Sequence, residues 1–216
     1  MRNKLAIFDL DGTVLDTLDD LHDSVNFALA QHGFALRTRE EVRAFVGCGM
    51  RNLIVRCVSE GTPQEQTDAV LACFRQRYAA HCMDRTRPYD GVLDMLRTLR
   101  GRGVYTAVVS NKADAAVQTL CRHYFPDLFD YVSGERDGVR RKPAPDAVNA
   151  VLCALGIARE EAIYIGDSEV DVATAENAVL RCIAVDWGFR SRSTLLSAGA
   201  ARVVSDVPTL SDAILE

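Results

Sequence analysis

Leu5-Ala6-Ile7-Phe8-Asp9-Leu10-Asp11-Gly12-Thr13-Val14-Leu15-Asp16 runs from an apolar segment straight into two carboxylates. The run Leu5–Phe8 is continuously apolar and ends at a turn signal, the pattern of a short strand buried on both faces. Such a strand delivers Asp9 and Asp11 to its C-terminal edge, where open α/β sheets bind their ligands. Residues two apart in a strand share a face. One carboxylate can therefore attack an electrophile while the other handles a proton, and both are near enough to hold a hard cation. Gly12 allows the sharp turn that follows. Taken alone, Asp-x-Asp is equally a pair of solvated turn residues.

Beyond Asp16 the pattern becomes helical. Leu18, Leu21, Val25 and Leu29 form one apolar stripe, and Gly33 closes that helix. Glu40 to Phe45, Asn52 to Val58 and Gln64 to Ala80 continue as helices, with a break at Gly61-Thr62-Pro63. Residues 17–83 thus predict a bundle of about four helices with no strand among them. After Pro88 strands and helices alternate: strands at 104–109, 131–132, 162–165, 182–185 and 202–204, with helices at 92–99, 113–121, 146–155, 170–178 and 210–215. That order predicts an α/β fold with a doubly wound parallel sheet. Its core would be residues 1–16 and 84–216, with residues 17–83 inserted as a helical cap. The connectors near Asp16 and Arg85 to Pro88 would form a hinge beside Asp9.

Composition is ordinary for a globular protein, with 48% hydrophobic and 25% charged residues. The net charge of −5 argues against a nucleic-acid binder, which needs a basic face. Arg136, Arg140, Arg141 and Lys142 form one local basic stretch, read either as a solvated loop or as a guide for an anionic substrate. No apolar run approaches the ~18–20 residues of a membrane span. Met1-Arg2-Asn3-Lys4 lacks the pattern of a signal peptide, so the expected location is cytoplasmic. Seven cysteines without any C-x-x-C suggest neither a disulfide framework nor a zinc site. The four histidines lack ligand spacing.

Three further segments carry chemistry. Val108-Val109-Ser110-Asn111-Lys112 ends a strand and offers the Ser110 hydroxyl and turn N–H groups to an anion. By itself it is a strand-to-helix turn with a polar cap. Arg140-Arg141-Lys142-Pro143-Ala144-Pro145-Asp146 puts cations before a proline-started helix, where one would offset a substrate's charge. Gly166-Asp167-Ser168-Glu169-Val170-Asp171 follows a strand and places Asp167 on the same edge as Asp9. Asp171 lies one helical turn further on.

Together these four segments resemble the haloacid dehalogenase superfamily, in its phosphatase branch. The resemblance extends over essentially the whole chain. It includes Asp16-Thr17-Leu18-Asp19-Asp20-Leu21, Phe45-Val46-Gly47-Cys48-Gly49-Met50-Arg51, Pro88-Tyr89-Asp90-Gly91 and Asp186-Trp187-Gly188, which look like the phosphoglycolate phosphatase group. It implies that Asp9 is a nucleophile forming an aspartyl phosphate and Asp11 the general acid/base. Ser110 and Lys142, chosen over Arg141, would complete the catalytic set. Mg²⁺ would be held by Asp9, Asp167 and the Asp11 carbonyl, with Ser168 and Asp171 behind them. Gly12, Thr13, Asn111 and Arg51 would bind substrate. The expected partner is a small phosphorylated metabolite, with 2-phosphoglycolate the best guess. Neither nucleic acid nor membrane is expected to bind, and the chain would be a monomer or homodimer.

Several alternatives stand beside this reading. Inorganic pyrophosphatase, or another small-molecule phosphatase, would use the same core. A phospho-accepting signalling domain lacks the inserted helices, and a non-catalytic scaffold would break a motif. A dehalogenase needs no Asp11 or metal. The related sugar-phosphate mutases carry a cap histidine where this chain has Leu21, with His22 one place over. There are two departures from the group. Cys48 replaces a residue often polar, and Ala178-Val179 stands where Ala-Gly is expected.

Overall fold

β1 (Leu5–Phe8) forms where the chain is continuously apolar, and all of its residues are fully buried. In this computed structural model the structure describes residues 3–216. Met1 and Arg2, part of the segment read for a signal peptide, lie outside the described residues. The chain divides into two compact units, Met1–Leu15 with Pro88–Glu216 and Asp16–Arg87.

In the first unit β1 is followed by β2 (Leu15–Asp16), whose second residue begins the other unit. After the four helices of that other unit come β3 (Arg87–Pro88), α5 (Val92–Gly101), β4 (Tyr105–Ala113), α6 (Asp114–Tyr124) and β5 (Tyr131–Glu135). Then follow α7 (Asp146–Leu155), β6 (Ala162–Gly166), α8 (Glu169–Asn177), β7 (Arg181–Val185), α9 (Arg192–Ser197), β8 (Val203–Val204) and α10 (Val207–Leu215). The main sheet has six parallel strands in the order β5-β4-β1-β6-β7-β8, while β2 and β3 pair separately. Phe8 pairs with Val108 on one side and Ile165 on the other. The order therefore reverses around β1, and the crevice where such sheets bind ligands lies at its C-terminal end.

One sheet face, carrying Leu5, Ile7, Ala107, Val109, Ala162 and Tyr164, packs on Val148, Val151 and Leu152 of α7 and on Ala175 of α8. The alternate residues Ala6, Phe8, Val108, Ile163 and Ile165 are just as buried, so both faces are covered.

The second unit contains α1 (Leu18–Gln31), α2 (Arg39–Phe45), α3 (Met50–Cys57) and α4 (Gln64–His81). The stripe Leu18, Leu21, Val25, Leu29 is buried, as are Leu53, Ile54, Val70 and Phe74. Thr38 and Glu41 form a capping box that starts α2. The buried Asp20 accepts the backbone N–H groups of Arg85 and Thr86, tying the end of the unit to α1.

The structure differs from the sequence reading in several elements. β4 runs on to Ala113 instead of turning at Ser110, with a register shift between Val109 and Ala113. Ser110-Asn111-Lys112 reads as a turn because it is polar, yet its side chains are buried on polar partners. β5 extends to Glu135, α6 to Tyr124, and α10 begins at Val207. The sequence pattern missed α9, a short helix in which only Leu195 is buried. It also missed β2 and β3, two residues each. Among the described residues no helix is long and apolar enough to cross a membrane, and none of the seven cysteines is in a disulfide.

Candidate active site

Asp9 stands one residue past β1, its N–H still bonded to Ile165 O at 2.9 Å, so the sheet itself aims the side chain. The backbone then reverses at Gly12, which has φ of 83°. A Cβ on Gly12 would overlap the Asp167 carboxylate. Glycine is therefore required twice here, for the conformation and for the close approach.

Asp167 follows β6 and is almost fully buried. Its carboxylate accepts the N–H of Phe189 at 2.6 Å and the hydroxyl of Thr13 at 3.3 Å. Asp171, on the first turn of α8, is fully buried. It accepts the Ser168 N–H at 3.1 Å and the Ser168 hydroxyl at 2.5 Å through one oxygen, in a capping box. Its other oxygen accepts Lys142 Nζ at 2.8 Å and the Tyr164 hydroxyl at 3.1 Å. Gly166 makes room for Asp171, whose side chain a Cβ there would strike.

Lys142 Nζ is shared between Asp171 and Asp9, at 2.8 Å from each, and also donates to Tyr164 Oη at 3.2 Å. Burial works against its ammonium, but Asp171 and Asp9 outweigh burial and hold its pKa well above that of a free lysine. Both ends of the Asn111 amide grip the Lys142 main chain: Oδ1 accepts its N–H at 2.8 Å and Nδ2 donates to its O at 3.1 Å. Ser110 is buried, and its Oγ accepts the Lys112 N–H at 3.2 Å. Lys112 Nζ in turn lies 2.7 and 3.0 Å from the two carboxylate oxygens of Asp11.

Among the described residues, Asp9, Asp167 and Asp171 bring carboxylate oxygens within 4.8 Å of one another. Crowding of this kind disfavours full ionisation. Burial, and then the Asp171 charge, push the Asp9 carboxyl up to about 7. Burial, with Asp171 and Asp9, lifts Asp167 well above the carboxylate range. Asp9 Oδ1 is buried with no aligned hydrogen bond, although Lys142 is close. An oxygen-only donor set with surplus negative charge and an unsatisfied buried oxygen suits a hard divalent cation. Asp9 and Asp167 keep oxygen lone pairs to offer it, since each Asp167 oxygen accepts one hydrogen bond, whereas each Asp171 oxygen already accepts two.

The sequence reading did not single out several residues at this site. Lys112 lies two residues after Ser110, and that spacing on a strand was the available signal. Tyr164 interrupts an apolar strand with a hydroxyl that needs a partner. Gly188 packs so closely on Gly12 O and Asp167 that a Cβ would overlap both, which lets Phe189 reach Asp167. Arg190 is buried and pairs with Glu169 at 2.8 Å. The basic stretch is charge-paired: Arg140 with Asp146 at 3.0 Å, Arg141 with Glu135 at 3.8 Å and Arg136 with Asp114 at 3.9 Å. In the helical unit, Arg51 pairs with Asp68 at 2.5 Å, both partly exposed.

A buried carboxylate at the end of a central parallel strand, with two lysines, a hydroxyl and an acidic cluster gathered around it, is an arrangement suited to a hydrolase of the phosphoryl-transfer kind. The haloacid dehalogenase-like hydrolase model matches residues 6–185, and the chain belongs to that family. Its relatives include phosphoglycolate phosphatase 1 of Pseudomonas aeruginosa, 33% identical over 96% of this chain and 78% of that protein. Phosphoglycolate phosphatase of Cereibacter sphaeroides is 36% identical over 86% of each. A crystal structure from Lactobacillus delbrueckii subsp. bulgaricus, provisionally described as a phosphoglycolate phosphatase, superposes with TM-score 0.95 at 39% identity, covering 99% of both chains. The chain is thus an enzyme of the phosphatase kind within this family.

Proposed function

We propose that the protein is a Mg²⁺-dependent phosphomonoesterase of small phosphorylated metabolites, with 2-phosphoglycolate as its substrate, acting through an aspartyl phosphate on Asp9. The observation that carries this reading is the Asp9 carboxylate. It sits at the end of the central strand, buried, 2.8 Å from Lys142 and unsatisfied by hydrogen bonds. The name shared by full-length relatives supports the substrate.

Asp9 Oδ attacks phosphorus, and the ester oxygen leaves with a proton from Asp11. Water then gives a proton to Asp11 and its oxygen attacks phosphorus. The Asp9–phosphorus bond breaks, freeing phosphate and restoring the carboxylate. Lys142 offsets negative charge as the phosphate dianion meets Asp9. The Ser110 hydroxyl accepts from Lys112 N, leaving its own proton for a phosphate oxygen. Asn111 acts by holding Lys142, and Thr13 and Gly12 by shaping the seat of Asp167. Mg²⁺, held by Asp9, Asp167 and the Asp11 carbonyl, would supply charge neutralisation at the phosphate. In the helical unit, Arg51 is the proposed partner of a substrate carboxylate. Its exposed pair with Asp68 is worth under about 1 kcal/mol and is readily exchanged.

A panel of phosphomonoesters and pyrophosphate, assayed with Mg²⁺ and with excess chelator, tests the reading. The enzyme should hydrolyse 2-phosphoglycolate fastest, lose activity in chelator, and lose it in Asp9→Asn while staying folded. Undiminished turnover by Asp9→Asn would sink the mechanism; preference for pyrophosphate would sink the substrate.

A further inference from the structure

Lys112 is a buried cation for which the scheme above has no task beyond its backbone N–H. Its side chain is 3% exposed, and that of Asp11 is 14% exposed. Nζ approaches both oxygens of the Asp11 carboxylate, at 2.7 and 3.0 Å. The other buried lysine, Lys142, is occupied by Asp9, Asp171 and Tyr164. The two lysines thus divide the two motif carboxylates between them.

The backbone at Asp11 is already set. Gly12 N–H bonds to Leu15 O at 2.8 Å, and Asp11 itself forms an isolated bridge to Leu15. The direction of the Asp11 carboxylate is set by rotation about its side-chain bonds, and a cation that engages both oxygens holds that rotation. Lys112 can do this because β4 continues past Val109 with shifted register. The continuation carries Ser110 and Lys112 forward together and leaves Asn111 on the Lys142 main chain.

We propose that Lys112 is the positioning residue of the acid/base: it aims the Asp11 carboxylate for both proton transfers without touching the substrate. The proposal rests on the role given to Asp11 in the preceding section. In the first transfer a proton passes from Asp11 to the ester oxygen as the phosphorus–oxygen bond to the leaving group breaks and that to Asp9 forms. In the second, a proton passes from water to Asp11 as the water oxygen binds phosphorus and Asp9 is released. Each requires Asp11 within hydrogen-bond reach of the same small volume. Lys112 is thereby expected to govern kcat rather than KM.

The test is a mutant cycle on the Mg²⁺-loaded full chain. Lys112→Met keeps the length of the stem and removes the donors; Lys112→Arg keeps donors. Both are measured with 2-phosphoglycolate and with 4-nitrophenyl phosphate, whose leaving group needs little protonation. In the native background, Lys112→Met should lower kcat on 2-phosphoglycolate about 100-fold, the low end for a general acid/base, with KM moving less than about twofold. With 4-nitrophenyl phosphate it should give a burst of nitrophenol followed by slow turnover, since only the second proton transfer is then limiting. Lys112→Arg should recover at least a tenth of the native rate. In the Asp11→Asn background, Lys112→Met should cost less than about twofold, because its effect runs through Asp11. Should the Met variant fail to fold, Lys112→Gln is read on the same scale. Equal losses in both backgrounds, a KM effect larger than the kcat effect, or no loss at all would overturn the proposal. Failure of the mechanism itself would appear separately, as activity in Asp9→Asn.

Discussion

Val179→Gly is expected to make this enzyme more stable. α8 ends in a Schellman motif: Leu180 N–H donates to Ala175 O at 2.8 Å and Val179 N–H to Glu176 O at 2.9 Å. That motif places the residue after the C-cap in the left-handed region, normally as glycine. Here it is Val179, with φ of 54°. Left-handed backbone costs a residue with a Cβ about 1–2 kcal/mol, and a branched Cβ tends to the upper end. Glycine gives back about 0.5–1 kcal/mol because its unfolded chain is freer. Val179 is 77% exposed, so little burial is lost. Both motif hydrogen bonds are made by the backbone and survive. The net gain is about 1 kcal/mol, or about 2–4 °C in Tm for a chain of this size. Urea unfolding followed by Trp187 reports it cleanly, because this is the single tryptophan and lies in the same unit as Val179. The midpoint should rise with unchanged slope. Val179→Ala should gain less, since it relieves only the branching. An unchanged or lower midpoint in the glycine variant would refute the argument from strain.

Two more outcomes follow from the site. Asp9 has its carboxyl pushed up to about 7 from an ordinary value near 3.8, chiefly by burial. Without cation the folded chain therefore holds a proton that the unfolded chain has lost, and its stability falls as pH rises from about 4 to about 7. At the proposed site a bound cation would replace that proton, so the rise in Tm caused by Mg²⁺ should be larger at pH 8 than at pH 5. Scanning calorimetry with Mg²⁺ and with chelator checks this; an increment that does not grow with pH would remove Asp9 from the cation site. Arg51→Ala should raise KM for 2-phosphoglycolate much more than for an aryl phosphate without a carboxylate, and Asp68→Ala should not. Equal effects on both substrates would take Arg51 out of substrate binding.

The strand pattern around Asp9 and the alternation of helices and strands after Pro88 were legible in the sequence because both depend on local hydrophobic period. So were the four chemical segments, because Asp9, Lys142 and Asp167 stand close to a strand or helix boundary written into neighbouring residues, and Ser110 directly follows the apolar part of β4. Arrangements that depend on which strands become neighbours were not legible. Lys112 reads as part of a polar turn until β4 is laid beside β1 and its ammonium meets Asp11. Asn111 reads as a polar turn residue until the loop before α7 brings the Lys142 main chain to its amide. Tyr164 reads as core until Lys142 and Asp171, distant in sequence, converge on its hydroxyl. Gly188 carries no local signal at all, since its need for glycine comes from the Asp167 carboxylate and Gly12 carbonyl pressed against it. Local composition determines where a strand ends and which groups stand there. Only the folded sheet decides which charges share buried space, and burial without water makes each buried polar or charged group depend on a specific partner.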